Sequence, residues 1–207
     1  MEDRSGLVEG LWRICIGDIM RKGEGTSEVG SARARVEVNV DGKGDPDLDS
    51  GSGFLDHMLT ALAKMSKIDI RVKAGGGIAA QRSRALGLAL GGALAAALGE
   101  KRGIRRYGWA AVPMDEALAE VALDLSGRAY LVMKGEFENE IIGDLPSQDV
   151  RTILEALTEE GLITLNVKFE GENDHHKAES IFKALGLALK EAKRVEGTEV
   201  LSTKGVL

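Results

Sequence analysis

Ile68-Asp69-Ile70-Arg71-Val72-Lys73, with the glycines Gly75 to Gly77 behind it, returns 95 residues later as Ile163-Thr164-Leu165-Asn166-Val167-Lys168 and Gly171. The match is ungapped and runs on into the segment beyond. Ala89-Leu90-Gly91 falls on Ala184-Leu185-Gly186, Ala93-Leu94 on Ala188-Leu189, and, ahead of the strand, Leu62 on Leu157. A fixed-offset repeat means one supersecondary unit written twice. In the first copy the apolar periodicity predicts a strand at 33–40, a helix from about Gly53 to Met65, a strand at 68–73, a glycine-rich turn and an apolar helix. The second predicts a strand at 121–125, the turn Ser126-Gly127-Arg128, a strand at 129–133, a helix near 147–159, a strand at 162–169 and a last helix. This is an α+β fold: duplicated ββαβα units with a pseudo-twofold relation, sheets packed against helices in one compact domain. Residues 31–110 make the first unit and 111–207 the second, with no flexible linker between them. Residues 1–30 are less regular: 11–20 look strand-like, and 23–30 read as a flexible loop.

A chain of 207 residues can bury a full core without a staple. The single cysteine, Cys15, excludes an intrachain disulfide and fits a reducing, cytoplasmic location. A net charge of −6, with Lys and Arg scattered among acids, argues against nucleic-acid or membrane partners and leaves small molecules. The most apolar stretch, Ala85 to Gly99, is shorter than the ~18–20 residues of a membrane span, and its Gly and Ala content suits a buried helix approached closely by another backbone. No signal peptide is expected, because charged residues and Gly interrupt the N-terminal apolar run.

The last helix opens with Asn173-Asp174-His175-His176-Lys177-Ala178-Glu179, which places two of the chain's three histidines beside a carboxylate. With 3.6 residues per turn, Glu179 shares a face with His175 (i, i+4) and with His176 (i, i+3), while the two imidazoles diverge by about 100°. Such an end can offer His176 and Glu179 to one metal ion and turn His175 to a second ion or a neighbour. The alternative is an exposed polar helix start capped by Asn173 or Asp174. The repeat sets Ala80, Gln81 and Arg84 opposite His175, His176 and Glu179, so if the ancestral unit held metal, one copy has lost its site.

From about residue 33 onward, the chain resembles the imidazoleglycerol-phosphate dehydratase family. Gly53-Phe54-Leu55-Asp56-His57-Met58-Leu59, Gly103-Ile104-Arg105-Arg106-Tyr107-Gly108, Pro113-Met114-Asp115-Glu116-Ala117-Leu118, Asp124-Leu125-Ser126-Gly127-Arg128, Gly171 to Glu179, Phe182-Lys183-Ala184 and Ser202-Thr203-Lys204-Gly205 are similar to its motifs. The resemblance implies a metal-dependent hydro-lyase of histidine biosynthesis that dehydrates imidazole glycerol phosphate to imidazole acetol phosphate. It also implies two manganese ions held between subunits by imidazoles and carboxylates of both repeats.

Of the implied ligands, His57, His175, His176 and Glu179 remain. Ala80, Gln81 and Arg84 replace a first-half set, and Asn166 replaces a lone second-half histidine. One surviving site is expected from His57, His176 and Glu179, with Gln81 or water completing the shell. That leaves one ion per site pair instead of two, or a metal-free state. Arg84 is either a solvated helix-start arginine or a fixed positive charge in the place of the missing metal.

The resemblance puts Arg106, Arg128, Lys183, Ser202 and Lys204 at phosphate-binding positions, and forked guanidinium and ammonium groups suit phosphate oxygens. Asp115 and Glu116 match a segment near the substrate; the plainer reading is a turn between two strands. Glu28 serves as the family's early glutamate and general base only with residues inserted after it, since an ungapped alignment puts Ser31-Ala32 there. The family's assembly implies a homo-oligomer built on trimers, up to a 24-mer; the missing ligands add the alternative of a mixed assembly with a complete paralogue. Two functions follow from the same residues: a working dehydratase, or a catalytically impaired paralogue that keeps the phosphate site and a structural role.

Overall fold

The computed structural model describes residues 20–201. In the first unit β1 (Lys22–Val29) and β2 (Ala32–Asn39) form a hairpin, β3 (Pro46–Asp49) leads to α1 (Gly53–Ser66), and β4 (Asp69–Gly75) leads to α2 (Ala79–Leu98). The second unit repeats this with β5 (Tyr107–Met114), β6 (Ala117–Asp124), β7 (Tyr130–Lys134), α3 (Ser147–Gly161), β10 (Thr164–Glu170) and α4 (Asp174–Ala192). It adds a small hairpin, β8 (Ile141–Ile142) and β9 (Leu145–Pro146). The sheets follow one path, β1-β2-β4-β3 and β5-β6-β10-β7. In each, the third strand runs antiparallel to the hairpin and parallel to the fourth. The duplicated α+β architecture is therefore as expected, with β1, β3, β5 and the β8–β9 hairpin added to the strands read from periodicity.

Gly23–Gly30, expected as a flexible loop, is almost wholly strand β1, and the reason lies in helix α2. A Cβ on Gly23 would sit 2.1 Å from the Ala93 carbonyl oxygen, and one on Gly25 2.0 Å from that of Ala89. The glycines that look like flexibility are there so that a helix backbone can lie directly on the strand. The second unit repeats the device, with a Cβ on Gly108 reaching 1.9 Å from the Ala188 carbonyl. Lys22 thus corresponds to Tyr107, a shorter offset than Asp69 to Thr164, because the β8–β9 hairpin lengthens the second unit. The second unit begins with β5, ahead of the expected start at 111, and the strand-like stretch at 11–19 lies outside the described residues.

α2 covers β1 and β2, α4 covers β5 and β6, and the helices meet across the units, α1 on α4 and α2 on α3. Both crossings need the glycine of the repeated Ala-Leu-Gly. A Cβ on Gly91 would lie 2.5 Å from the Leu157 carbonyl, and one on Gly186 2.9 Å from that of Leu62. One continuous core results, drawing on both sheets and all four helices.

The helix N-termini gather at one end. Asp144, in the β8–β9 turn, accepts from Ser52 Oγ at 2.5 Å and from the N–H groups of Gly53 and Phe54, closing the start of α1 beside the start of α3. Arg82 of α2 reaches Gly51, and the first turns of α2 and α3 are joined by Ser83 Oγ donating to Asp149 at 2.9 Å. Asn173 caps α4 by accepting from the N–H groups of His175 and His176.

Candidate active site and metal centre

His57 extends from the first turn of α1 and His175 from the first turn of α4, and both meet Glu179 one turn further along α4. His57 Nε2 lies 3.4 Å and His175 Nε2 3.3 Å from the same oxygen, Glu179 Oε2. All three donor atoms fall within 4.8 Å of one another. Two bonds of about 2.1 Å at roughly tetrahedral angles span about 3.4 Å, so each histidine–Glu179 pair already stands at the separation that a shared divalent cation requires. Two imidazoles and one carboxylate suit manganese, iron or zinc and leave coordination positions open for a substrate. The imidazoles are about half exposed and the carboxylate is 10% exposed, so an ion here would be backed by protein and open on one side.

Neighbours fix two of the three ligands. The Phe54 ring meets the His175 ring edge to face at 5.2 Å. Lys183, one turn after Glu179, places Nζ 2.7 Å from Oε1, which leaves Oε2 to the histidines. Burial raises the Glu179 carboxyl's proton affinity, but the Lys183 ammonium and then His57 outweigh it and hold the pKa below the ordinary carboxylate value.

His176 does not join this group, contrary to the expected set of His57, His176 and Glu179. The i, i+4 stripe brings His175 onto Glu179, and the helical 100° step turns His176 toward the β5–β6 hairpin. There its Nδ1–H donates to Glu116 Oε2 at 2.8 Å, and Nε2 stands 3.6 Å from Asp115 Oδ2. Glu116 also accepts from the N–H groups of Glu172 and Asn173, so one carboxylate fixes both the imidazole and the loop before α4. Its hydrogen bond from His176, then that from Asn173, lower the Glu116 pKa to about 2, and the same bond raises that of His176. Asp115 and Glu116 are the two residues of the hairpin turn, with Asp115 at φ 48°.

The first-half counterparts do not fit a metal. Gln81 is occupied locally, its Oε1 accepting from the Ile78 N–H at the start of α2, and Arg84 pairs with Glu159 at 2.8 Å. Asn166 stands on the exposed outer face of β10. Glu28 lies on the outer face of β1, paired with Arg33 at 3.0 Å and well exposed, apart from the three-ligand cluster.

The expected phosphate-binding residues divide between the two ends of the chain. Lys183 is at the cluster, against Glu179 and the Met114 sulfur. Arg106 is at the far end, its N–H bonded to the Ala192 carbonyl at the end of α4. From Glu179 to Ala192 the helix rises about 20 Å. Arg128, exposed, follows β6 at that far end; Ser202 and Lys204 lie outside the described residues. Asp124, which in the sequence stands out only as the first residue of Asp124-Leu125-Ser126-Gly127-Arg128, grips the Arg106 guanidinium with both oxygens, at 2.6 and 3.0 Å. Phe54 and Asp144 likewise support the site without carrying any sequence signal of that role.

Residues 50–189 match the family described as imidazoleglycerol-phosphate dehydratase. The chain belongs to that family. An imidazoleglycerol-phosphate dehydratase of Methanococcoides burtonii is 44% identical over 91% of this chain and 100% of its own length. One of Methanocella arvoryzae is 48% identical over 83% of this chain and 92% of its own. The solved dehydratase from Pyrococcus furiosus superposes with a TM-score of 0.78 at 31% identity, covering 88% of this chain and 99% of that one. Membership of the dehydratase family brings with it the hydro-lyase class and the duplicated α+β fold expected from the motifs.

Proposed function

We propose that the chain removes water from imidazole glycerol phosphate to give imidazole acetol phosphate in histidine biosynthesis, as a metal-dependent enzyme in an assembly of its own copies. The convergence of His57, His175 and Glu179 carries the reading, since these are family-implied ligands from opposite halves of the chain whose donor atoms meet in one cluster. A divalent cation there would supply Lewis acidity to the substrate's imidazole. The chain's own groups do the rest. Lys183 and Phe54 hold Glu179 and His175 in place. Glu116 fixes the His176 ring, and we assign removal of the C2 proton to the exposed carboxylate of Asp115, 3.6 Å from His176 Nε2. Glu28 is not given that role, because its carboxylate is already paired with Arg33.

The separation of about 20 Å between the cluster and Arg106 supports assembly. A three-carbon phosphate ester with one imidazole is roughly 10 Å long at bond lengths near 1.5 Å. One chain's cluster and the same chain's Arg106 therefore cannot hold the two ends of one substrate, so the phosphate end is lent by a second copy. The outer face of the second sheet fits a partner: Tyr107, Trp109 and Tyr130 are about half to two-thirds exposed there. The corresponding face of the first sheet is laced with ion pairs of Arg33 and Arg35 with Glu24, Glu28 and Glu37. We assign a trimer-based homo-oligomer, one manganese-class ion per chain, and a cytoplasmic setting in keeping with the lone cysteine. Among the described residues no helix is long and apolar enough to cross a membrane.

The test is turnover. Protein purified with manganese is given imidazole glycerol phosphate, and the keto product is followed together with metal content and mass in solution. Product formed by a metal-bearing oligomer is expected. Metal-bearing oligomer without product would sink the dehydratase reading in favour of an impaired paralogue.

A further inference from the structure

We propose that Asp124 is a positioning residue for phosphate binding: it clamps the Arg106 guanidinium between the sheet and the C-terminal strap 194–201, so that seating the strap and binding phosphate are coupled. The inference rests on the phosphate reading above and adds to it a residue and a moving part.

Arg106 is held in one orientation. Asp124 takes Nε and Nη2 as a fork, the Tyr107 ring lies 4.8 Å from the guanidinium carbon, and the side chains of the pair are 12% and 18% exposed. The backbone of Arg106 is in the left-handed region at φ 72°, fixed by its N–H to Ala192 and by its carbonyl accepting from Leu125. On the other side, Nη1 donates to the Leu201 carbonyl at 2.5 Å. A guanidinium has five N–H donors; three are used, which leaves one N–H on Nη1 and one on Nη2 to donate to phosphate oxygens.

The strap itself has little else to hold it. Val195 and Leu201 are more than half exposed, so apolar burial contributes little. Its attachment is a backbone seam along residues 103–105, with Gly103 accepting from the N–H groups of Glu196 and Gly197 and donating to Glu199, and Arg105 donating to Arg194. A Cβ on Gly103 would lie 2.0 Å from the Gly197 carbonyl, so the seam requires glycine. Among the described residues, Arg105 stands 3.9 Å from Glu196 early in the strap, and Arg106 ties the strap's end, through the Leu201 carbonyl, to the sheet. Without Asp124 the guanidinium is free to rotate, and both the Leu201 contact and the phosphate edge are lost together.

The experiment uses the full-length protein with inorganic phosphate as probe, comparing the native chain with Asp124→Asn and Asp124→Glu. Phosphate affinity is read by calorimetry, hydrogen exchange at the Glu196 and Gly197 amides by mass spectrometry, and KM and kcat from turnover. Asp124→Asn is expected to weaken phosphate binding about tenfold, the scale of one lost charge-assisted fork. KM should rise with kcat largely kept, the two strap amides should exchange faster, and the slowing of their exchange by phosphate should disappear. Asp124→Glu should restore part of each effect, which separates positioning from a general loss of folding. Phosphate binding that is unchanged or tighter in Asp124→Asn means that Asp124 only neutralises Arg106, and overturns the inference. So does a strap whose exchange ignores phosphate in the native chain. Failure of the native chain to bind phosphate at all would instead bring down the phosphate reading on which the inference stands.

Discussion

His57 and Glu179 meet through Nε2 and Oε2 at 3.4 Å across 122 residues of sequence, one from the first unit and one from the second. The contact exists because α1 packs on α4, and α4 can come that close only where Gly186 leaves room for the Leu62 carbonyl. The chemistry of the site thus depends on the helix seam between the repeats.

Glu179→Gln keeps the shape of the side chain and removes the charge that two imidazoles and Lys183 surround. Manganese affinity should fall at least about a hundredfold, since a carboxylate ligand is replaced by a weak neutral one. Calorimetric titration with manganese reads this directly. Affinity equal to that of the native chain would show that the three-residue cluster is a hydrogen-bonded group and not a metal centre.

Manganese should saturate at one ion per chain. Arg84, paired with Glu159, puts a guanidinium where a second ion's carboxylate ligand would stand, and Gln81 is spent on capping α2. Restoring ligands with Ala80→His, Gln81→His and Arg84→Glu together should raise the stoichiometry toward two by elemental analysis. Two ions per native chain would refute the loss of the first-half site.

The repeat at Ile68 and Ile163 was legible in the sequence because strand and helix keep one offset from there through Leu94 and Leu189. The hairpins were not, since the β8–β9 insertion shifts their offset, and Gly23 and Gly25 mimic a loop when read one residue at a time. Only the packed helix shows why a strand should carry glycine. At the site, the residue types at His57, His175 and Glu179 were readable from spacing and motif. The choice of His175 over His176 was not, because both lie within a turn of Glu179 and the decision is made by Glu116, which is remote in sequence. Asp124 was invisible as a clamp for the same reason: its partner Arg106 is on the neighbouring strand's approach, and no local pattern links them.

Gly25→Ala should destabilise the fold by about 3 kcal/mol, at the upper end of overpacking costs, because the added carbon meets backbone of α2 and no flexible side chain can yield. Denaturant unfolding gives the value. A change within a few tenths of a kcal/mol would restore the loop reading of this segment.

Asp174 governs the acid limit of stability. It is buried with Lys177, whose Nζ lies 2.8 Å away, and accepts from the N–H groups of Glu138 and Asn139. Burial raises its proton affinity, but Lys177 and the backbone donors bring the pKa down to about 2 from 3.8. A depressed pKa means stability that is present above pH ~4 and lost as pH falls toward ~2, on the order of 2 kcal/mol. Asp174→Asn should flatten this acid limb in unfolding titrations and lower stability at neutral pH. An unaltered limb would place the acid sensitivity elsewhere.

Asp149 works in the opposite sense. Its side chain is fully buried in the first turn of α3, with Oδ2 accepting from Ser83 and Oδ1 without a hydrogen-bond partner among the described residues. Burial raises its pKa, and the Ser83 bond and the Arg82 charge only partly oppose this. The folded state therefore keeps its proton longer than the unfolded chain. Its contribution is most favourable below the unfolded carboxylate pKa, declines as pH rises to the raised folded value, and stays low above it. At neutral pH Asp149→Asn should stabilise the protein by about 1 kcal/mol, and Ser83→Ala with Asp149→Leu, which removes both partners, by at least as much. Thermal melts from acid to neutral pH check this. A native chain that gains on the Asp149→Asn variant as pH rises through that window would mean that Asp149 is ionised and satisfied in the fold.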